Sequence, residues 1–182
     1  MKRLLAALMV LLCGCTSSAA APQSSETTVS ARDILGSITL CGEPLCVPFK
    51  EHELPGDFSF GDSINVYSMG EQMYYCPLEY GGEAVSVVYL LDYKESEDTH
   101  SLTACSIGFS GSDRSGFGKM LSIGGINSDS TIDDVITRFG QPKQRSYGSN
   151  GMVTLDYSED NIHISFRGKH REGLDRATVF CR

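Results

Sequence analysis

The side chains best able to do chemistry in this chain are its seven cysteines, and their spacing limits which chemistry that is. Cys13 and Cys15 stand two apart in Leu11-Leu12-Cys13-Gly14-Cys15-Thr16, while Cys41, Cys46, Cys76, Cys105 and Cys181 are scattered through the remainder. No two form C-x-x-C, and His52, His100, His163 and His170 show no H-E-x-x-H or comparable grouping. The spacing therefore points away from a metal site and implies no cofactor. Five cysteines beyond Cys15 cannot all pair with one another, and sequence alone leaves many two-disulfide patterns open. The candidate pair is Cys41 with Cys46, because a four-residue turn through Gly42-Glu43-Pro44 would set them opposite each other on one hairpin face. Cys76 and Cys105 fall on strands expected to flank a common neighbour. That puts them about 9 to 10 Å apart, past the bridging limit of roughly 7 Å.

Nucleophilic catalysis needs a serine on a strained elbow or a cysteine beside a base. Gly108-Phe109-Ser110-Gly111-Ser112 lacks the second glycine of G-x-S-x-G, and Ser115 to Lys119 is one residue too long for S-x-x-K. A cysteine and histidine pair such as Cys105 with His163 would have to be assembled by the fold from distant segments. Asp133 and Asp134 sit where a helix dipole wants acids, and Gly124-Gly125 is not followed by the Gly-Lys-Ser/Thr of a phosphate loop. No catalytic residue is assigned, and the expectation is a protein that is not an enzyme. Two sets of residues are candidates for a partner surface. Arg167, Lys169, His170 and Arg171 make a basic tip, and Tyr74, Tyr75 and Tyr80 cluster on or beside one strand, aromatic residues and arginine being favoured at interface centres.

The amino end carries an address. Met1-Lys2-Arg3 followed by the apolar run Leu4 to Leu12 has the layout of a secretory signal, and the run is well short of the roughly 20 residues of a membrane span. Leu12-Cys13-Gly14-Cys15 resembles the bacterial lipobox, with leucine three before and a small residue one before the modified cysteine; Cys13, preceded by Leu12, does not fit. The resemblance implies that residues 1–14 are removed and that Cys15 becomes a lipid-bearing amino terminus, with a diacylglycerol thioether and an N-acyl chain such as palmitate. Several buried acyl chains hold a protein on a membrane where one would not. The expected location is the extracytoplasmic face of a cell membrane or an outer membrane; Thr16 after Cys15 suits an outer-membrane destination, and a Gram-positive membrane fits as well. Loss of Lys2 and Arg3 takes the net charge from −8 to −10. Such a charge repels phosphate backbones and anionic headgroups, so nucleic acid is excluded as a partner class and anchoring falls to the lipid.

Residues 15–32 form the anchor and a tether of Ser, Thr, Ala, Pro and Gln, too polar to order itself. Residues 33–182 make one domain's worth of chain, enough to bury a core. Within it, residues 33–118 are expected to hold a β-hairpin (Ser37 to Phe49), a helical turn at Lys50 to Leu54 and a β-meander of Gln72 to Pro77, Ala84 to Tyr93 and Ser101 to Ser110. The middle run is apolar on both faces and reads as a central, doubly covered strand. The acidic loop with Glu95, Glu97 and Asp98 reads as a solvated tip, too irregular for calcium. Residues 119–182 start with a strand from Met120 to Ile123. The plainest pattern follows: Ser130-Thr131 as a cap, acids in the first turn, Ile132, Val135, Ile136 and Phe139 at helical spacing, then a glycine stop and Pro142. Met152 to Tyr157, Ile162 to Arg167 and Thr178 to Cys181 then alternate as strands. The fold expected is α+β: antiparallel sheet with one main capped helix packed on a face, preceded by a β-hairpin and a β-meander.

The order Ile123-Gly124-Gly125-Ile126, Ser130-Thr131, Asp134-Val135, Phe139-Gly140, Pro142, Leu155-Asp156-Tyr157 and the Ile162-x-Ile164-x-Phe166 strand resembles two modules. One is the small outer-membrane assembly lipoprotein family BamE/SmpA, the other the repeat of the secreted β-lactamase inhibitor protein. The chain is also similar to Gram-positive lipoproteins that precede such a module with a G-x-x-x-x-x-P hairpin, here Gly42 to Pro48. The resemblance covers about a third of the chain, and one helix stands where these modules begin with two. It implies action by protein contact without catalytic machinery. The expected function is that of a membrane-anchored extracytoplasmic lipoprotein acting by non-catalytic contact with an envelope protein, as an assembly or inhibitory accessory. The competing expectation is an envelope ligand-binding or hydrolytic protein whose site forms no known motif.

Overall fold

The computed structural model describes residues 28–69, 71–94, 101–111 and 115–182. The leader, Cys15 and most of the tether lie outside the described residues, as do Glu95, Glu97 and Asp98. In chain order the elements are α1 (Ala31–Leu35), β1 (Ile38–Leu40), β2 (Glu43–Pro44), β3 (Phe49–Lys50), a 3₁₀ turn at Glu51–Glu53, β4 (Phe58–Phe60), β5 (Asn65–Met69), β6 (Glu71–Tyr80) and β7 (Glu83–Tyr89). Then come β8 (Thr103–Ala104), β9 (Ser106–Ser110), α2 (Phe117–Met120), β10 (Leu121–Ile123), α3 (Ile132–Phe139), β11 (Gln144–Tyr147), β12 (Met152–Glu159), β13 (Ile162–Lys169) and β14 (Leu174–Cys181).

Among the described residues, strand accounts for 49% and helix for 15%, in three short helices among four antiparallel sheets, so the α+β expectation is overturned and the described part of the protein is mostly β. Length is the physical reason. An eight-residue α3 is about 12 Å long, whereas five strands side by side span about 19 Å between the outer two. One such helix cannot cover the sheet β11-β12-β13-β14-β9, and α1 packs beside it on β12 and β13.

The inner face of that sheet is apolar at every second position, with Leu155, Ile164, Phe166, Ala177, Val179 and Ile107 fully buried. On it, the Phe139 ring stacks on Phe166 at 5.7 Å and meets the edge of Tyr157 at 5.9 Å. The Tyr157 hydroxyl donates to the Gly140 carbonyl at 2.8 Å, tying the helix stop to β12. Gly124 closes the group from above: its φ is +60°, and a Cβ there would lie 2.8 Å from the Phe139 ring. Ile123 and Ile126 exchange backbone hydrogen bonds across Gly124-Gly125. The helix start is a capping box in which Thr131 Oγ1 accepts from the Asp134 N–H and the Asp134 carboxylate accepts from the Thr131 N–H. Ser130 instead accepts from the Asn127 N–H. The residues that carry the resemblance are thus a single packing unit.

Three expectations for the first half change. The hairpin turn holds two residues, not four: Leu40 pairs with Glu43, and Cys41 (φ 52°) and Gly42 (φ 84°) take left-handed conformations. The tether ends earlier, since the Val29 N–H bonds Phe139 O at 3.0 Å and Ser30 caps α1. The run from Ala84 is not doubly covered, because β7 pairs along its length with β6 alone and Val87 is 48% exposed.

Truncating the packing unit has a defined cost. Phe139→Ala is expected to lower stability by about 3–5 kcal/mol and Thr131→Ala by about 1 kcal/mol, read from urea unfolding midpoints.

Candidate functional site

The basic tip is internally compensated. Arg167 Nε lies 3.7 Å from Asp175 Oδ2, and Lys169 Nζ lies 3.2 Å from Glu172 Oε2. His170 is held between two partners, with Nδ1 3.5 Å from Asp133 Oδ1 at the start of α3 and Nε2 3.2 Å from Arg145. Arg171 (φ 64°) occupies the turn. Two of the acids, Glu172 and Asp175, stand beside the basic run in the sequence, and the third, Asp133, comes from the helix. Arg145, on a strand that sequence reading missed, spreads over the Tyr147 ring at 5.2 Å.

The tyrosine cluster is divided. Strand alternation puts Tyr74 on the inner face of β6, against Tyr93 at 4.8 Å, and Tyr75 on the outer face, against Tyr89 at 5.9 Å. Tyr80, at the far end, packs on the buried Phe58 at 4.7 Å. Only Tyr75 belongs to a larger surface, which sequence reading missed. On the outer face of the same sheet, Tyr67 pairs with Met73 and Pro77 with Val87. The face continues past Tyr89 to Phe180 of β14 at 6.3 Å. Arg182 closes it, its guanidinium 5.4 Å from the Phe180 ring and Nη2 3.2 Å from Met73 Sδ. Period-two alternation from Met73 to Pro77 and from Val87 to Tyr89 carried the signal. It was masked because the inner positions are apolar too.

This face crosses a junction between two sheets. Beyond the bridge at Leu90 and Ala104, β7 and β9 separate without a backbone ladder. Serine hydroxyls fill part of the gap: Ser106 Oγ accepts from the Tyr89 N–H at 2.8 Å, and Ser86 Oγ donates to the Gly108 carbonyl at 2.6 Å. A cleft of about 410 Å³ lies on one side of the junction, against Met73, Tyr89, Phe180 and Arg182, and another of about 510 Å³ lies between β7 and β9.

Two of the buried thiols are poorly suited to act as catalytic nucleophiles. Burial pushes Cys76 up to about 12, with Glu51 and Glu79 adding to it, and pushes Cys105 up to about 11. A protonated thiol is a weak nucleophile. His163 shares the outer face of its sheet with Phe180 and Ser106, whereas Cys105 faces the core. The fold therefore keeps that pair apart. Cys41 and Cys46 are exposed and free, with Cys41 in the turn rather than opposite Cys46. Among the described residues, no three His, Cys, Asp or Glu side chains are grouped to hold a metal. Compared with known proteins, the chain matches no family model, no curated sequence and no solved structure.

Two measurements follow from these groups. Ser106→Ala leaves the Tyr89 N–H without its acceptor and is expected to cost about 1–3 kcal/mol, seen in chemical denaturation. Cys76, Cys105 and Tyr157 all have raised folded values, about 12, 11 and 12, because burial disfavours their anions. Below pH 9 folded and unfolded chains hold these protons equally. Above it the unfolded chain alone releases them, so stability is lost as pH rises from about 9 through the folded values. The thermal midpoint should fall across that window, with a shallower slope in Cys76→Ala.

Proposed function

We propose that this protein is a lipid-anchored extracytoplasmic lipoprotein that acts by non-catalytic contact with another envelope protein, as an assembly or inhibitory accessory. The observation that carries the reading is the outer face of β5, β6 and β7 continued onto Phe180. It offers Tyr67 at 42% exposure and Val87 at 48%, together with Met73, Tyr75, Tyr89 and Arg182. Tyrosine and arginine are residue types that dominate binding energy at protein interfaces, and a rigid sheet presents them at little entropic cost. A cluster of this kind on an acidic protein is where a protein partner gains from excluding water.

The lipobox at Cys15 supports the anchored location, and the resemblance of the C-terminal module to BamE/SmpA and to the β-lactamase inhibitor repeat supports contact rather than catalysis. The basic tip is a weaker candidate surface than its sequence implied, because Asp175, Glu172 and Asp133 offset its charge.

Chemical cross-linking in native membranes, read by mass spectrometry, tests the reading. The expected result is one stoichiometric protein partner linked through the outer face. Val87→Glu, which places a carboxylate on that face without entering the core, should reduce the linked fraction about tenfold, the equivalent of 1.4 kcal/mol. Cys15→Ala should release the protein from the membrane. Recovery of lipid-modified monomer alone, or linkage that ignores Val87→Glu, would contradict it.

A further inference from the structure

We propose that Cys105 and Cys181 form a cross-strand disulfide site that locks β14 to the junction of the two sheets. The register makes the case. The β9 and β14 ladder pairs Arg176 with Ser110, Thr178 with Gly108 and Phe180 with Ser106. One further step in the same register sets Cys181 opposite Cys105, and the Cys181 N–H indeed bonds the Cys105 carbonyl at 2.8 Å. The pair makes one of the two possible backbone bonds, since the Cys105 N–H turns to the Tyr89 carbonyl; directly opposed antiparallel residues have Cα atoms about 4.5–5.5 Å apart, within the roughly 4.4–6.8 Å that a disulfide spans. Their side chains share a face, here the core face that also holds the pairs Ile107 with Val179 and Phe109 with Ala177.

A second observation agrees: Cys181 is among the groups that oppose ionisation of Cys105, so the two thiols lie within electrostatic reach. No other described cysteine competes. Cys76 is paired with Val88, across the full width of β7 from Cys105, and Cys41 and Cys46 lie exposed in the segment around β2.

The chemistry is thiol and disulfide exchange with a low-molecular-weight or protein disulfide. The Cys181 thiolate, at 8% exposure the more accessible of the two, attacks one sulfur of the oxidant and expels the other as a thiolate. Cys105 then gives up its proton, attacks Cys181 Sγ and expels the second thiolate. Two thiols lose two protons and two electrons, and the oxidant's disulfide becomes two thiols. The Asn161 amide donates to Cys181 Sγ at 3.8 Å and holds it beside the ladder. Closing this bond covalently fixes the strand that carries Phe180 to the residue where the two sheets meet. The inference stands independently of the contact reading; the export that reading includes would provide an oxidising compartment.

The test treats the full chain with oxidised glutathione, alkylates the remaining thiols and maps tryptic peptides. The expected product links peptide 95–114, which carries Cys105, to peptide 177–182, which carries Cys181, with loss of two hydrogens. Oxidation should raise the thermal midpoint by about 10 °C, from the loop it closes. The rise should vanish in Cys181→Ser, a change at the more exposed partner that leaves Cys105 and its backbone bonds in place. Alkylation of both cysteines after oxidation, a glutathione adduct on Cys181 without closure, or a linkage to Cys41, Cys46 or Cys76 would overturn the proposal.

Discussion

One residue's backbone bonds to both of the larger sheets of this molecule. The Cys105 N–H bonds the Tyr89 carbonyl at 2.8 Å, and the Cys105 carbonyl accepts from the Cys181 N–H at 2.8 Å. The first bond reaches the sheet of β4 to β7 and the second the five-stranded sheet. On one side of this point Leu90 and Ala104 continue the pairing. On the other, β7 and β9 diverge, and the hydroxyls of Ser86 and Ser106 take over bonds that a ladder would have supplied. A buried backbone group must find a partner, which is why Ser106 is 2% exposed and yet polar.

The aromatic face depends on that joint. Because the sheets meet at Cys105 and do not merge into one ladder, the outer sides of β6, β7 and β14 adjoin there. Tyr89 and Phe180, from different sheets, approach to 6.3 Å there. Beneath the surface the core is continuous, running from Phe58 and Phe60 under the first sheet to Phe139 and Phe166 under the second. The helices are small parts of this arrangement. Two lie on the inner face of the large sheet, and the α3 cap and stop are fixed by Thr131, Gly124 and Tyr157.

Local chemistry was legible in the sequence, and tertiary placement was not. The helix at Ile132–Phe139 and the three closing strands were readable because caps, a glycine stop and alternation are written in consecutive residues. The hairpin turn was misjudged because Cys41 adopts a left-handed conformation that favours glycine, so two residues do the work expected of four. The run from Ala84 looked doubly covered because its outward positions are apolar, which is what a contact face and a buried face share. The basic tip is more fully opposed than its own segment shows, because Asp133, which faces His170, is 37 residues away in sequence and joins the nearby Glu172 and Asp175. Class was misjudged for a related reason: the strongest single motif was a helix, while many of the fourteen strands among the described residues are too short to announce themselves.

Native-state hydrogen exchange, resolved at individual amides by NMR, tests the joint most directly. With the sheets joined at Cys105 and forked beyond it, the Cys105 and Cys181 amides should exchange as slowly as those of the core strands. The amide of Val87, on the edge of β7 that faces β9, should exchange many times faster than that of its neighbour Val88, which lies on the paired side. Equal protection of Val87 and Val88 would mean that β7 and β9 close into one continuous ladder, with no fork to set the aromatic face, and the account would fail.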